Sequence, residues 1–143
     1  MDYIVDQLND IYYTEEWWHK TRMTVDGATK YHRTMLERGC LMPEVMDGWV
    51  VGYVEAWRLN EAQVERLYRC QPFCALEENT TGGDIAWVAN LWVAFDVRRG
   101  FVLKNLNRRF RRFAEGCEWV GGIYNKKPRA FRFYRMSKQA IGV

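Results

Sequence analysis

The sequence predicts an α/β (α+β) fold in which helices flank a mixed β-sheet. Helix-like and strand-like patterns alternate along the chain, as expected when helices pack on a sheet. The segment "IAWVANLWVAF" (residues 85–95) is almost continuously apolar and rich in β-forming residues, which is typical of a central strand covered on both faces. With 143 residues, of which 15% are aromatic, the chain fits one domain, residues 1–143, with a packed interior.

Local patterns place each element in order. From the beginning of the chain, the predicted elements are a helix (26–39), two strands (41–45 and 49–59), a short helix (60–70), a strand (85–95), a helix (102–116), a strand (117–124) and a final helix (127–138). Asp26 is expected to cap the first helix, and Asp47-Gly48 is a tight hairpin signal between the first two strands. Gly52 indicates a bulge or a close approach of two backbones.

Apolar spacing predicts the helix over residues 102–116. Its apolar face is expected to hold residues spaced three, four and three apart, namely Leu103, Leu106, Phe110 and Phe113. Gly116 is expected to end this helix. The final helix has Pro128 near its first turn, where proline is tolerated.

Charge is distributed unevenly along the chain, although its net value is only +3. Residues 98–138 hold thirteen Lys or Arg and two acids, a net charge of +11, which leaves −8 on the rest of the chain. This asymmetry predicts that the last third faces an anionic partner, nucleic acid being one candidate, or pairs with the acidic remainder. The helix within this segment can equally present its Arg and Lys residues to solvent alone.

Cysteine, histidine and hydropathy patterns predict a reduced protein without a metal ion or a membrane segment. The four cysteines and two histidines do not form a zinc-binding pattern. No apolar run approaches the roughly 18–20 residues of a membrane span, so no membrane partner is expected. The acidic, polar start of the chain is unlike a secretory signal, which predicts residence in the cytoplasm.

Three segments have a pattern shared with a known family. They are "MPEVMDGWVVGYVEAW" (42–57), "NLWVAFDVRRGFVLKNL" (90–106) and "WVGGIYNKKPRAFRFYRM" (119–136). They resemble, in turn, the second and third strands, the fourth strand with its cofactor turn, and the fifth strand with its helix in the Gcn5-related N-acetyltransferase (GNAT) superfamily. Together with the order of elements, the resemblance covers residues 26–141.

The resemblance implies that the chain binds acetyl-CoA or another acyl-CoA. In this family the fourth and fifth strands splay apart around the pantetheine arm, while the turn and the helix N-terminus bind the pyrophosphate. The implied cofactor-binding residues are Val93 and Ala94 on the strand, Arg98, Arg99, Gly100, Phe101 and Val102 in the turn, and Asn125 after the fifth strand. The turn departs from the family pattern at Val97 and at Val102, whose Cβ is expected to obstruct a close approach of the pyrophosphate to the backbone.

The resemblance also implies a general acid and a base. Tyr134 matches the tyrosine that protonates the leaving thiolate, here on the predicted final helix. The base is left open among Asn90 on the fourth strand, Asp84 just before that strand, and Glu55 on the third strand. The first interpretation is therefore an acyl-CoA-dependent N-acyltransferase that acts on an unknown amine.

Two other interpretations stay open. One is a non-catalytic GNAT-fold structural or interaction protein, for example a phage protein located in the virion, because the turn is altered and few residues follow Tyr134. The family usually adds two more strands there, so these strands would be missing or supplied by a partner chain, a second copy included. The other is a nucleic-acid-binding accessory protein that uses the basic segment 98–138.

Overall fold

The computed structural model describes residues 2–15, 23–127 and 130–136; for residue 15 and for the segments 123–127 and 130–136 it describes the backbone. Within these ranges the elements are α1 (Asp2–Glu15), α2 (Val25–Glu37), β1 (Leu41–Met46), β2 (Trp49–Leu59), α3 (Glu61–Tyr68), β3 (Ile85–Val93), α4 (Arg99–Phe113), β4 (Trp119–Lys127) and β5 (Ala130–Met136). The strands form one sheet in the order β1-β2-β3-β4-β5. Neighbouring strands are antiparallel except for the parallel pair β3–β4, so the predicted mixed sheet is confirmed.

Helices cover both faces of the sheet. α1 and α2 lie on one face, where Leu8 and Met35 share a buried cluster with Tyr53 of β2. α4 lies on the other face, where Val102 packs in a cluster with Val54. Since neighbouring residues of a strand point to opposite faces, Tyr53 and Val54 place the two helix layers on opposite sides of β2.

The predicted hairpin and the predicted close approach within it are both confirmed. Asp47 (φ 51°) and Gly48 (φ 82°) adopt the left-handed conformation that a tight hairpin turn requires. At Gly52, an added Cβ would lie 2.9 Å from both the Trp92 carbonyl oxygen and Val102 Cγ1. A glycine at this position therefore lets β2, β3 and α4 meet.

Side-chain caps define where α2 and α3 begin. The hydroxyl oxygen of Thr24 accepts a hydrogen bond from the Gly27 N–H at 3.0 Å, so Thr24 caps α2 and Asp26 lies in the first turn. The prediction that Asp26 is the cap is thus wrong by two residues. For α3 the predicted cap is confirmed: Asn60 and Gln63 form a reciprocal capping box, with hydrogen bonds of 2.8 and 2.9 Å.

α1 is an element that the sequence patterns did not predict. Its inner side is buried and recurs at helical spacing, at Val5, Leu8, Ile11 and Tyr12. Its outer side is exposed and acidic, at Asp2, Asp6 and Asp10. The acidic outer side explains why α1 was not predicted, because it makes the segment polar on average although the inner side is apolar.

The buried side of α4 contains Val102 where Leu103 was predicted. Val102 and Leu106 are fully buried, whereas Leu103 is 39% exposed, so the prediction for Leu103 is wrong. The space above Gly52 is the physical reason, because it receives the Val102 side chain and so sets which side of the helix faces the sheet.

The predicted final helix over residues 127–138 is wrong, since Ala130–Met136 is a strand that pairs antiparallel with β4. Aromatic residues and arginine alternate along "FRF", which is a strand period, and the open edge of β4 supplies a partner. Tyr134 consequently lies on a strand, opposite Gly122. Pro128 lies outside the described residues. One strand beyond β4 is thus supplied by the chain itself.

Candidate functional site

The parallel strands β3 and β4 pair over a short distance and then separate. Their last paired residues are Val88 and Gly122, where a Cβ added to the glycine would lie only 3.0 Å from the Val88 carbonyl oxygen. Beyond this point β3 continues to Val93 and β4 to Lys127, and the described backbone shows no pairing between them. The gap opens at the carboxyl ends of two parallel strands, where ligands of open α/β sheets commonly bind.

A bulge in β3 accompanies this separation. Across β2 and β3, Glu55 faces Asn90 and Ala56 faces Val88, which leaves Ala89 without a partner. A bulge bends the strand that contains it and increases the local twist. The end of β3 can therefore follow β2 while it turns away from β4.

The backbone of β3 beyond the bulge presents hydrogen-bonding groups to the gap. The Ala94 N–H donates to the Val51 carbonyl of β2 at 2.9 Å. Because successive backbone groups of an extended strand point to alternate sides, the Val93 N–H points toward the gap. The Leu91 N–H lies on the same side and donates to the side-chain oxygen of Asn90 at 2.9 Å. Of the two predicted strand residues, Val93 offers its amide to the gap, whereas the Ala94 amide is already used.

The N-terminus of α4 follows soon after β3 ends. Arg98 is its capping residue but makes no side-chain capping hydrogen bond, and the first turn contains no acid. The Val102 N–H donates to the Arg98 carbonyl at 3.1 Å, while Arg99, Gly100 and Phe101 precede it in the first turn. Arg98 and these three residues are all exposed. Free N–H groups at a helix start attract anions, and the two arginines add positive charge beside them.

Val102 belongs to the core rather than to the exposed part of this turn. Its side chain is fully buried against β2, in the space that Gly52 leaves open. The expectation that its Cβ obstructs a pyrophosphate is therefore wrong, because the side chain points to the sheet. At Gly100, by contrast, an added Cβ would meet no atom within 4 Å.

A polar cluster lies beside the gap, on the face covered by α1 and α2. Glu55 is only 6% exposed, and its carboxylate accepts hydrogen bonds from the Tyr31 hydroxyl and, at 3.0 Å, from Trp57 Nε1. On the facing strand, Asn90 Nδ2 donates to the Tyr53 hydroxyl at 2.9 Å. The structure thus brings two of the predicted base candidates, Glu55 and Asn90, side by side. The sequence patterns did not predict Tyr31, Tyr53 or Trp57 as members of this cluster. For Tyr53 and Trp57 a signal was present, because alternation along β2 places both on the same face as Glu55.

Tyr134 and Asn125 are placed by their backbones alone. Tyr134 pairs with Gly122, which in turn pairs with Val88, so Tyr134 is in register with the start of the gap. Asn125 lies on β4 beyond the separation and pairs with Phe131 on the side away from β3. Their side chains lie outside the described part of the chain, and their roles as general acid and cofactor contact stay predictions.

The described residues contain two buried thiols and no candidate metal centre. Burial raises the pKa of Cys40, opposed by a hydrogen bond with Thr80 and reinforced by the nearby Glu55 carboxylate. Burial likewise raises the pKa of Cys117, and all four cysteines are free. No group of three or more His, Cys, Asp or Glu in the described ranges is arranged to hold a metal ion. No helix among them is long and apolar enough to cross a membrane.

Comparisons with known proteins identify the fold. No protein-family model matches the sequence, and the search of curated proteins gives no match either. The chain is similar in structure to the GphF GNAT-like decarboxylase in complex with isobutyryl-CoA, with a TM-score of 0.51 and 17% identity over 83% of this chain and 62% of the other. It is also similar to the loading GNATL domain of CurA from Lyngbya majuscula, with a TM-score of 0.53 and 13% identity over 87% of this chain and 67% of the other.

These likenesses show that the chain has a GNAT-like fold. They also show that it spans 62% of the length of the GphF structure, which is less than two thirds. The sequence identity to both structures is 17% or less, so the similarity shows a shared fold and nothing more. A shared fold does not determine activity or substrate, because these depend on the site residues of each chain.

Proposed function

We propose that the chain is an acyl-CoA-dependent N-acyltransferase that binds acetyl-CoA or another acyl-CoA between β3 and β4. The observation that supports this most is the separation of the two strands beyond Val88 and Gly122, beside the uncapped N-terminus of α4. An extended amide-containing arm can hydrogen-bond to the free edge of β3, as an added strand does. The GphF GNAT-like decarboxylase, a protein of similar fold, has isobutyryl-CoA in its complex.

Different residues would hold the two ends of the cofactor. The backbone carbonyl groups of Leu91 and Val93 on β3 face the gap and would accept hydrogen bonds from the amides of the pantetheine arm. Arg98 and Arg99, together with the free N–H groups of the first turn of α4, would hold the phosphates. Gly100 leaves open space at this turn, so a phosphate can approach the backbone closely.

Bound acyl-CoA would supply the thioester carbonyl that an amine attacks and the thiolate that leaves. The Val93 N–H would donate a hydrogen bond to the carbonyl oxygen, where negative charge develops. Glu55, the only buried acid among the described residues, would take the proton that the amine loses as the C–N bond forms. Asn90 would position the acceptor beside it, and the Tyr134 hydroxyl would return a proton to sulfur as the C–S bond breaks.

Calorimetric titration with acetyl-CoA tests the binding step. We expect saturable binding by the wild-type protein and affinity weaker by about tenfold or more in Gly100→Glu, because the new carboxylate repels phosphates at the helix N-terminus. Gly100→Gln is the matched control, since it has nearly the same size without the charge, and it should retain more of the affinity. No heat of binding at millimolar acetyl-CoA would overturn the proposal.

A non-catalytic GNAT-fold protein is the second candidate. The observation that favours it is that the Glu55 carboxylate is already engaged by the Tyr31 hydroxyl and by Trp57 Nε1. Incubation with acetyl-CoA and a panel of primary amines, followed by mass spectrometry, separates the two functions. Acetylated amine that disappears in Glu55→Gln supports the transferase, whereas cofactor binding without product for any amine supports the second candidate.

A further inference from the structure

The exposed side of α1 contains a row of acids, which we call the acidic row: Asp2, Asp6 and Asp10. They are spaced four residues apart, so they follow one side of the helix over about 12 Å. Asp2 forms an ion pair with Arg33 at 3.5 Å, between two exposed side chains. Neither Asp6 nor Asp10 forms an ion pair with any residue in the described part of the chain.

The exposed side of α4 contains a matching basic row: Lys104, Arg108 and Arg112. These residues have the same four-residue spacing and the same length along the helix. Within the described ranges none of them forms an ion pair or a hydrogen bond through its side chain. Arg109 is separate from the row, because it turns to β1 and pairs with Glu44 at 3.3 Å.

Each row is unfavourable by itself. Like charges four residues apart on a helix repel each other, and α4 contains no acid between residues 99 and 113 that would relieve the repulsion. The two rows cannot relieve each other within one molecule, because α1 and α4 pack on opposite faces of the sheet with their charged sides outward. A partner of opposite charge can relieve both.

We propose that this partner is a second copy of the chain, docked with its acidic row on the basic row of the first. Equal spacing allows three pairs of opposite charge to form side by side. An exposed aromatic residue borders each row, Tyr3 at 54% and Phe101 at 52% exposure, and supplies apolar area that ion pairs lack. Because the two docking surfaces differ, each added copy leaves one row free, and association continues head to tail unless a ring closes.

Nucleic acid would fit only half of this pattern. A phosphate backbone would neutralise the basic row, but it would be repelled by the acidic row and would leave Asp6 and Asp10 without an ion pair in the described part of the chain. A second copy accounts for both rows and for their common spacing, and it does not depend on the proposed acyl-CoA site.

Sedimentation velocity over a range of protein concentrations tests the proposal. At low salt the weight-average sedimentation coefficient should rise with concentration, and at about 1 M salt, where the screening length is about 3 Å, it should remain that of the monomer. A protein that stays monomeric at low salt and high concentration would overturn the proposal.

Charge-swap variants identify the surfaces. The acidic-row variant has Asp2→Lys, Asp6→Lys and Asp10→Lys, and the basic-row variant has Lys104→Glu, Arg108→Glu and Arg112→Glu. Each alone should stay monomeric at low salt, since its two rows then have the same sign, and an equimolar mixture should associate again. The control variant has Glu37→Lys, Glu65→Lys and Glu77→Lys. It has the same net charge as the acidic-row variant but keeps both rows, so it should associate like the wild type.

Circular dichroism checks that each variant is folded, and neutral variants with Asn or Gln at the same positions replace any that is not. These neutral variants should weaken association by about tenfold or more. The proposal would be overturned if the mixture of the two charge-swap variants failed to associate, or if the control variant lost association to the same extent as they do. A single-stranded oligonucleotide bound through the basic row of a protein that is otherwise monomeric would overturn it in favour of nucleic acid.

Discussion

The carbonyl oxygen of Val88 and the Cα of Gly122 lie so close that a Cβ on the glycine would be 3.0 Å from that oxygen. The same Cβ would lie 3.3 Å from Val88 Cβ. These two residues form the last pair before β3 and β4 separate, so the start of the gap depends on the absence of a side chain at residue 122. A larger residue there would have to push the strands apart at the point where they are still paired.

Gly122→Ala is therefore expected to lower the free energy of unfolding by about 1–3 kcal/mol, the usual range for overpacking. Urea unfolding followed by circular dichroism measures this change. Gly100→Ala is the control, because its Cβ meets no atom within 4 Å. It should leave stability unchanged or raise it by up to about 1 kcal/mol, since alanine favours the helix. Equal effects of both substitutions would contradict the close approach at Gly122.

Tyr31→Phe is expected to destabilise the protein through Glu55. The substitution removes a hydroxyl that donates to a buried carboxylate, which costs about 1–3 kcal/mol when the group cannot recover the bond from water. Chemical denaturation gives the change in free energy. The control is Tyr3→Phe, at an exposed ring where a change within about 0.5 kcal/mol is expected. If the two variants unfold at the same denaturant concentration as the wild type, the Tyr31 hydroxyl does not hold Glu55.

Elements with strong local signals could be predicted from the sequence. β2 follows directly from a tight turn at Asp47-Gly48, and α3 follows from the capping residue Asn60, because both signals act within a few residues. β5 could not be predicted in the same way, since its aromatic residues also suit a helix. Its conformation depends on pairing with the edge of β4, and a pattern of neighbouring residues does not reveal that tertiary contact.

The sequence predicts several residues of the candidate site but not how they are arranged in space. The resemblance led to Val93 and to Glu55 and Asn90, and the structure shows that the last two face each other across β2 and β3. That pairing depends on the bulge at Ala89, which long-range register determines and no local spacing reveals. The role of Val102 was misjudged for the same reason, because its burial depends on a glycine fifty residues earlier.

Thiol reactivity should divide the four cysteines into two pairs. Cys70 and Cys74 are exposed, whereas Cys40 and Cys117 are buried with pKa values raised by burial. Since the thiolate is the reactive form, an aromatic disulfide reagent at about pH 8 should modify two thiols quickly and two only after unfolding. Absorbance counts the released thiols and mass spectrometry assigns them. The variant with Cys70→Ser and Cys74→Ser should show no fast phase; a fast phase in it would contradict the burial of the other pair.

Glu78 should make part of the stability dependent on pH. A hydrogen bond from Arg66 lowers the pKa of Glu78 below its ordinary value of 4.5, with a further contribution from Gln63. Because the folded-state pKa is the lower one, the ion pair stabilises the fold above the unfolded pKa, and this stabilisation is lost as pH falls through the folded pKa.

Glu78→Gln should therefore lower stability at neutral pH and flatten the decline of stability in acid, since the neutral amide cannot titrate. Urea midpoints measured from pH 7 down to about pH 3 give both quantities. The matched control is Glu77→Gln, which alters the adjacent acid while the Arg66–Glu78 ion pair stays intact. If Glu78→Gln and the wild type lose stability in parallel as pH falls, the bond from Arg66 does not couple this loop to folding. A parallel decline would then have to arise from other carboxyl groups, because the substitution removes only this one.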